Sequence, residues 1–279
     1  MKDGFFWSLA KMDKNISRNY KNSKKQIKSA YKRDKKEKKI SYRREKHAIK
    51  ETYLSNREAY YLERGLPLPE NPPKRGLLEE IGNAVTHGVG AAFALVAIVL
   101  MLIKQGSREE LFGAIIYSFG LFVLFCISAL YHAFPYGTRV KRIFQRFDYS
   151  SIYLLIGATF APILLAYVRG IKGQLFFVTQ WLIIAAGITF IGVFGPGKLR
   201  FIHFPLYIIL GWSGLLLLPE MLARDVGFFV YIITGGALYS LGIIPFSIKA
   251  KISHFIWHFF VLGGAVLQWI GIYKYIYLV

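Results

Sequence analysis

Two histidines four residues apart, His254 and His258, open the apolar run HFIWHFFVLGGAVLQW at residues 254–269. That separation puts both imidazoles on one helical face, a spacing suited to two ligands of one metal. An ionisable group inside a bilayer-length apolar run is expensive and marks a functional site by default. A third histidine, His132, closes another such run, with Ser128 one turn before it. Asp148 opens a third run, and Glu80, Asn83 and His87 follow i, i+3, i+7 at the head of a fourth. Three imidazoles would give Zn2+ three protein ligands and leave its fourth position to water, the catalytic rather than the structural pattern. Zinc there would bring the pKa of that water to about 7 and polarise a carbonyl. Asp148 would accept a proton or hold the water, and Ser128 would orient the set. The plainer alternative for each residue is a hydrogen-bonded packing role. Of the remaining polar residues, His203 is expected at the membrane interface and His47 in solvent. Gln268, several turns deeper on the His254 face, is expected to bond to a neighbouring helix, and Cys126, the single cysteine, to lie in the core; one cysteine also excludes an intrachain disulfide.

Chemistry at one depth requires helices that cross a membrane. Hydrophobic residues make up 54% of the 279 and aromatics 16%, which points to a membrane class. Seven runs reach the roughly 20 apolar residues a spanning helix needs, near 84–104, 111–133, 149–168, 174–194, 202–219, 226–247 and 254–276. Seven runs separated by short charged loops exclude a buried soluble core. Their unbroken apolar character, without alternation, excludes a barrel. The fold class is therefore all-α, a seven-transmembrane helix bundle. Lys and Arg near the span ends number eleven on the side of the amino terminus and six opposite, so the amino terminus is expected in the cytoplasm. In that topology His132, Asp148, His254, His258 and the Glu80–Asn83–His87 stripe all fall at the cytoplasmic end.

Residues 1–76 form a basic cytoplasmic tail, and residues 77–279 the seven-span domain with the zinc site. The tail holds 22 of the 36 Lys and Arg and 9 of the 16 Asp and Glu, a net +13. Its segment KKQIKSAYKRDKKEKKISYRREKHAIK has good helix formers but patchy apolar periodicity, and no internal repeat is evident; a solvated helix and a disordered chain both fit. One role is to enforce topology. Another is to bind anionic head groups, at about 1 kcal/mol per well-placed cation; nucleic acid is not an expected partner. LPLPENPPKRG, residues 66–76, reads as a stiff, extended linker. The opening GFFWSLA is too short for a secretory leader, so targeting is expected to come from the first span.

EIGNAVTH (80–87), SALYHAF (128–134) with FDYSSIYLLIGATFAP (147–162), and HFIWHFFV (254–261) resemble the three signature regions of the hemolysin III family. That family is the bacterial branch of the progestin and adipoQ receptor proteins, which include the adiponectin receptors; alkaline ceramidases resemble it more distantly. The resemblance covers residues 77–279 and leaves the tail outside. It implies a seven-span bundle with a cytoplasmic amino terminus and zinc held by His132, His254 and His258, with the motif serine and aspartate at Ser128 and Asp148. It also implies hydrolysis of ceramide-like lipid amides.

Three functions follow as expectations for a multi-pass protein of the plasma membrane. The first is a zinc-dependent hydrolase of lipid amides or esters, with membrane lipids as substrate. The second is a lipid-sensing or receptor-like protein with structural zinc. The third is a membrane-lytic protein, which the one-ended clustering of charge disfavours, because a pore lines its whole path with polar groups.

Overall fold

The computed structural model describes residues 2–63, 72–197, 199–248 and 250–278. It divides into two compact units, Met1–Pro69 and Glu70–Val279. The first holds one helix of 62 residues, α1 (Lys2–Glu63). Side chains 21–49 of α1 are all exposed, so its helicity is local, sustained by helix formers and i,i+4 pairs such as Asp34–Lys38 at 3.0 Å. His47 is exposed and 3.9 Å from Glu51. Most of the expected linker at 66–76 lies outside the described residues, as do Lys198 and Lys249 of the charge count.

Among its described residues, the second unit holds seven helices long and apolar enough to cross a membrane. They are α2 (Leu77–Lys104), α3 (Arg108–Ala133), α4 (Arg139–Pro162, continued by the π-turn Ile163–Val168) and α5 (Gly170–Phe194), then α6 (Arg200–Trp212) with α7 (Leu218–Arg224), α8 (Val226–Ser247) and α9 (Ser253–Ile272, continued by the π-turn Tyr273–Tyr277). The chain is a multi-pass integral membrane protein.

Several helices start earlier than hydropathy places them. α2 begins at residue 77 rather than 84, and α4 at 139 rather than 149. Hydropathy locates the bilayer crossing, whereas helix ends are set by capping. Ser107 accepts from the Glu110 N–H and Thr138 from the Lys141 N–H, each at 3.2 Å, relieving unpaired first-turn donors. The early starts carry Glu80, Asn83 and Asp148 inside helices rather than at their mouths. The fifth span is two helices joined by a 3-10 turn, Ser213–Leu217, where the Ser213 hydroxyl donates to Leu210 O at 2.6 Å.

α4 is the most buried span. It packs on α3, which packs on α2; α2 in turn meets α9, and α9 meets α8. Small residues permit the close crossings expected in lipid: a Cβ at Gly120 on α3 would collide with Ala158 on α4, and one at Gly90 on α2 would stand 2.5 Å from the Phe125 ring. This packing brings the end of α3 and the starts of α2, α4 and α9 together at one end of the bundle.

Candidate metal centre

At that end, one ring nitrogen of each of His132, His254 and His258 lies within 4.8 Å of the others. Ring centroids are 4.8 Å apart for His132–His258, 4.9 Å for His254–His258 and 5.2 Å for His132–His254. Nε2 of His132, Nε2 of His254 and Nδ1 of His258 are buried without hydrogen-bond partners. Unpaired buried polar atoms cost about 1–3 kcal/mol each; three of them on facing rings fit a metal ion held by nitrogen. The i, i+4 spacing on α9 supplies two of the rings, and the close α3 crossing supplies the other.

The far side of His132 is fixed by charge. Its Nδ1 lies 2.5 Å from Glu80 Oε2, which accepts its proton, and 3.3 Å from the Asn83 amide. Glu80 Oε1 in turn accepts from Lys141 Nζ at 2.9 Å, and the same ammonium donates to Phe134 O at 3.0 Å and sits 4.9 Å over the Tyr131 ring. Lys141 is fully buried. A carboxylate on Nδ1 sets the tautomer that leaves Nε2 free to ligate. Sequence reasoning counted Lys141 only as a loop cation. The available signal was Glu80 itself, since a carboxylate inside a span needs a counter-charge at its own depth.

His87 stacks on His258, with centroids 3.7 Å apart and 17° between planes, and meets the Phe125 edge at 5.1 Å. It is buried but outside the three-nitrogen group. Ser128 on α3 and Asp148 on α4 line one cavity together with Arg75. Arg75, in the sequence only one of the cations that set topology, lines the same space.

That space is a cavity of ≈ 190 Å³. Arg75, His87, Ser128, Asp148, His254 and His258 line one end; Glu80, Asn83 and His132 are not part of the lining. From Asp148 the cavity follows α4 through Ile152, Ile156 and Thr159 to Ile163, roughly 22 Å at 1.5 Å per residue. Its other walls are mostly apolar residues of α6, α8 and α9, Gly211 and Gly236 included, with Ser240 and Gln268 as polar exceptions.

The expectation for Gln268 holds: its Nε2 donates to Ile232 O on α8 at 3.3 Å. Cys126, expected in the core, is only partly buried. His203, expected at the interface, is buried instead, with Nδ1 3.0 Å from the Tyr153 hydroxyl. α6 begins at Arg200, which turns His203 inward onto α4.

Comparison with known proteins gives consistent matches. The sequence pattern described as haemolysin-III related matches residues 75–269. The chain is 34% identical to Hemolysin-3 of Bacillus cereus over 203 residues, covering 71% of this chain and 92% of that one. It is 32% identical to the Hemolysin-3 homolog of Bacillus subtilis (strain 168), covering 71% and 94%. With the human monocyte to macrophage differentiation factor it shares 28% over 205 residues, covering 71% and 85%.

Proposed function

We propose, for a chain that belongs to the haemolysin-III related family, a zinc-dependent hydrolysis of lipid amides or esters at the cytoplasmic leaflet. The observation that carries this reading is the convergence of three unpartnered imidazole nitrogens beside a carboxylate, at the head of an apolar cavity. His132, His254 and His258 would hold the ion; three imidazoles and an open position suit zinc. When bound, zinc supplies electrophilic polarisation of a carbonyl and an acidified water.

The protein's own groups do the rest. The Asp148 carboxylate takes the proton of the attacking water and returns it to the leaving amine or alcohol. Ser128, which lines the same cavity, would hold that carboxylate in place. Glu80 and Lys141 fix the His132 ring. The cavity along α4 buries an acyl chain and keeps bulk water from the reacting carbonyl.

Elemental analysis of purified wild type is expected to give about one zinc per chain. His132→Ala, His254→Ala and His258→Ala should each lose nearly all of it. A wild type with full zinc that never turns over any of a panel of N-acyl lipids overturns the hydrolase reading and leaves the receptor-like one, in which the metal is structural.

The cavity makes a separate prediction. Gly236 lines the cavity and a Cβ there would meet nothing within 4 Å, so Gly236→Leu has room for its first carbon, takes up cavity space with the rest of its side chain and improves helix propensity. It is expected to lower kcat/KM for long acyl chains by about tenfold and to spare short ones. Competition assays with chains of graded length measure the ratio.

A further inference from the structure

Four 11-residue repeats run through α1. Residues 16–59 read ISRNYKNSKKQ, IKSAYKRDKKE, KKISYRREKHA and IKETYLSNREA. The fifth place is always tyrosine: Tyr20, Tyr31, Tyr42 and Tyr53. The first place is Ile16, Ile27, Lys38 and Ile49, and the ninth is always basic: Lys24, Lys35, Lys46 and Arg57. Eleven residues close three helical turns with about 20° left over. On the continuous helix Lys2–Glu63, each row therefore follows one line of the surface. Places one, five and nine are successive i, i+4 neighbours, so isoleucine and tyrosine form one stripe and the ninth-place cations edge it. The described part of that stripe is uncovered, with Ile27 70%, Tyr31 65%, Tyr42 64%, Ile49 64% and Tyr53 54% exposed.

We infer that α1 lies along an anionic phospholipid surface, with its isoleucine–tyrosine stripe at head-group depth and the ninth-place cations on the phosphates. Charge selects this partner over a second copy of the helix. The four repeats carry sixteen Lys and Arg against five Asp and Glu, a net +11 with histidine neutral, and pairing two copies would set +11 against +11. A right-handed supercoil shares the 11-residue period. A seam as dense as that of coiled coils, however, needs about three apolar places per repeat, and the eighth place reads Ser23, Asp34, Glu45 and Asn56. Tyrosine is the residue of the membrane–water boundary, and a lysine stem covers apolar surface while its ammonium stays with the phosphates. The Asp34–Lys38 pair within the stripe limits the depth to the head groups. Only residues 64–76 separate α1 from the first span, so the bilayer is at high effective concentration and weak intrinsic affinity suffices.

The test uses the full chain with Cys126→Ser and a nitroxide on Tyr42→Cys or on Arg44→Cys, which lie roughly 200° apart around the helix. It is reconstituted in nanodiscs of phosphatidylcholine, with or without phosphatidylglycerol. The readout is the ratio of collisions with lipid-soluble oxygen to collisions with a water-soluble nickel chelate. The ratio at 42 is expected to rise roughly tenfold with the anionic lipid while that at 44 stays low. The rise should vanish between ~0.1 and ~1 M salt, as the screening length falls from about 10 Å to about 3 Å. Tyr31→Ser with Tyr53→Ser keeps the net charge and is expected to abolish the rise. Equal ratios at 42 and 44, indifference to lipid charge, or a full rise in the serine variant would overturn the proposal. So would spin–spin broadening at 42 in both lipids, which would mean a second copy covers the stripe.

Discussion

Asp148→Asn is expected to lower turnover of N-acyl lipids by about 10²–10⁴-fold, the usual contribution of a positioned acid–base group, while zinc content and Tm stay at wild-type values. Asparagine keeps the shape and the polarity of the side chain beside Ser128, which lines the same cavity. What it loses is the ability to take up a proton. The three histidines lie on other helices, so the metal site is undisturbed. Parallel measurement of kcat and of metal stoichiometry separates the roles: a variant that still turns over at the wild-type rate would remove Asp148 from the chemistry, and one that loses metal would make it structural.

Lys141→Met is expected to be the most destabilising single change near the site. Its ammonium is fully buried and its listeners are all short-range: Glu80 at 2.9 Å, Phe134 O at 3.0 Å and the Tyr131 ring. Removing one partner of a buried pair leaves the other charge uncompensated and costs about 3–5 kcal/mol, read as a Tm fall of roughly 10 °C. Adding Glu80→Gln should restore most of the stability, because the stranded charge is then gone. It should not restore zinc affinity, expected to stay 10–100-fold weaker, because the His132 ring has lost the carboxylate that orients it. Recovery of both together would mean that Glu80 and Lys141 serve packing alone.

Much of this arrangement was legible in the sequence. The seven spans follow from length and hydropathy, and the histidine trio from an i, i+4 pair plus a third imidazole at matching depth. Two kinds of feature were not. Lys141 lies in the basic stretch TRVKR beside the exposed Arg139 and the partly buried Arg142; only the fold shows that Lys141 is the one that turns inward to Glu80. His203 was misplaced because the start of α6, which sets the direction of its side chain, cannot be read from hydropathy in a span that begins RFIHFP. The 11-residue period of α1 is hidden in the apolar pattern because Lys38 interrupts the isoleucine row; it stands out once the segment is one unbroken helix.

Glu80 stands near the beginning of the membrane domain and His258 near its end, yet α2 and α9 pack side by side. The cluster begun on α2 is therefore completed only by α9. Until α9 is inserted, His132 is the single member of the nitrogen trio, so a metal held by the trio would load after six spans are already made. A chain truncated before residue 254 would lack two of the three ring nitrogens.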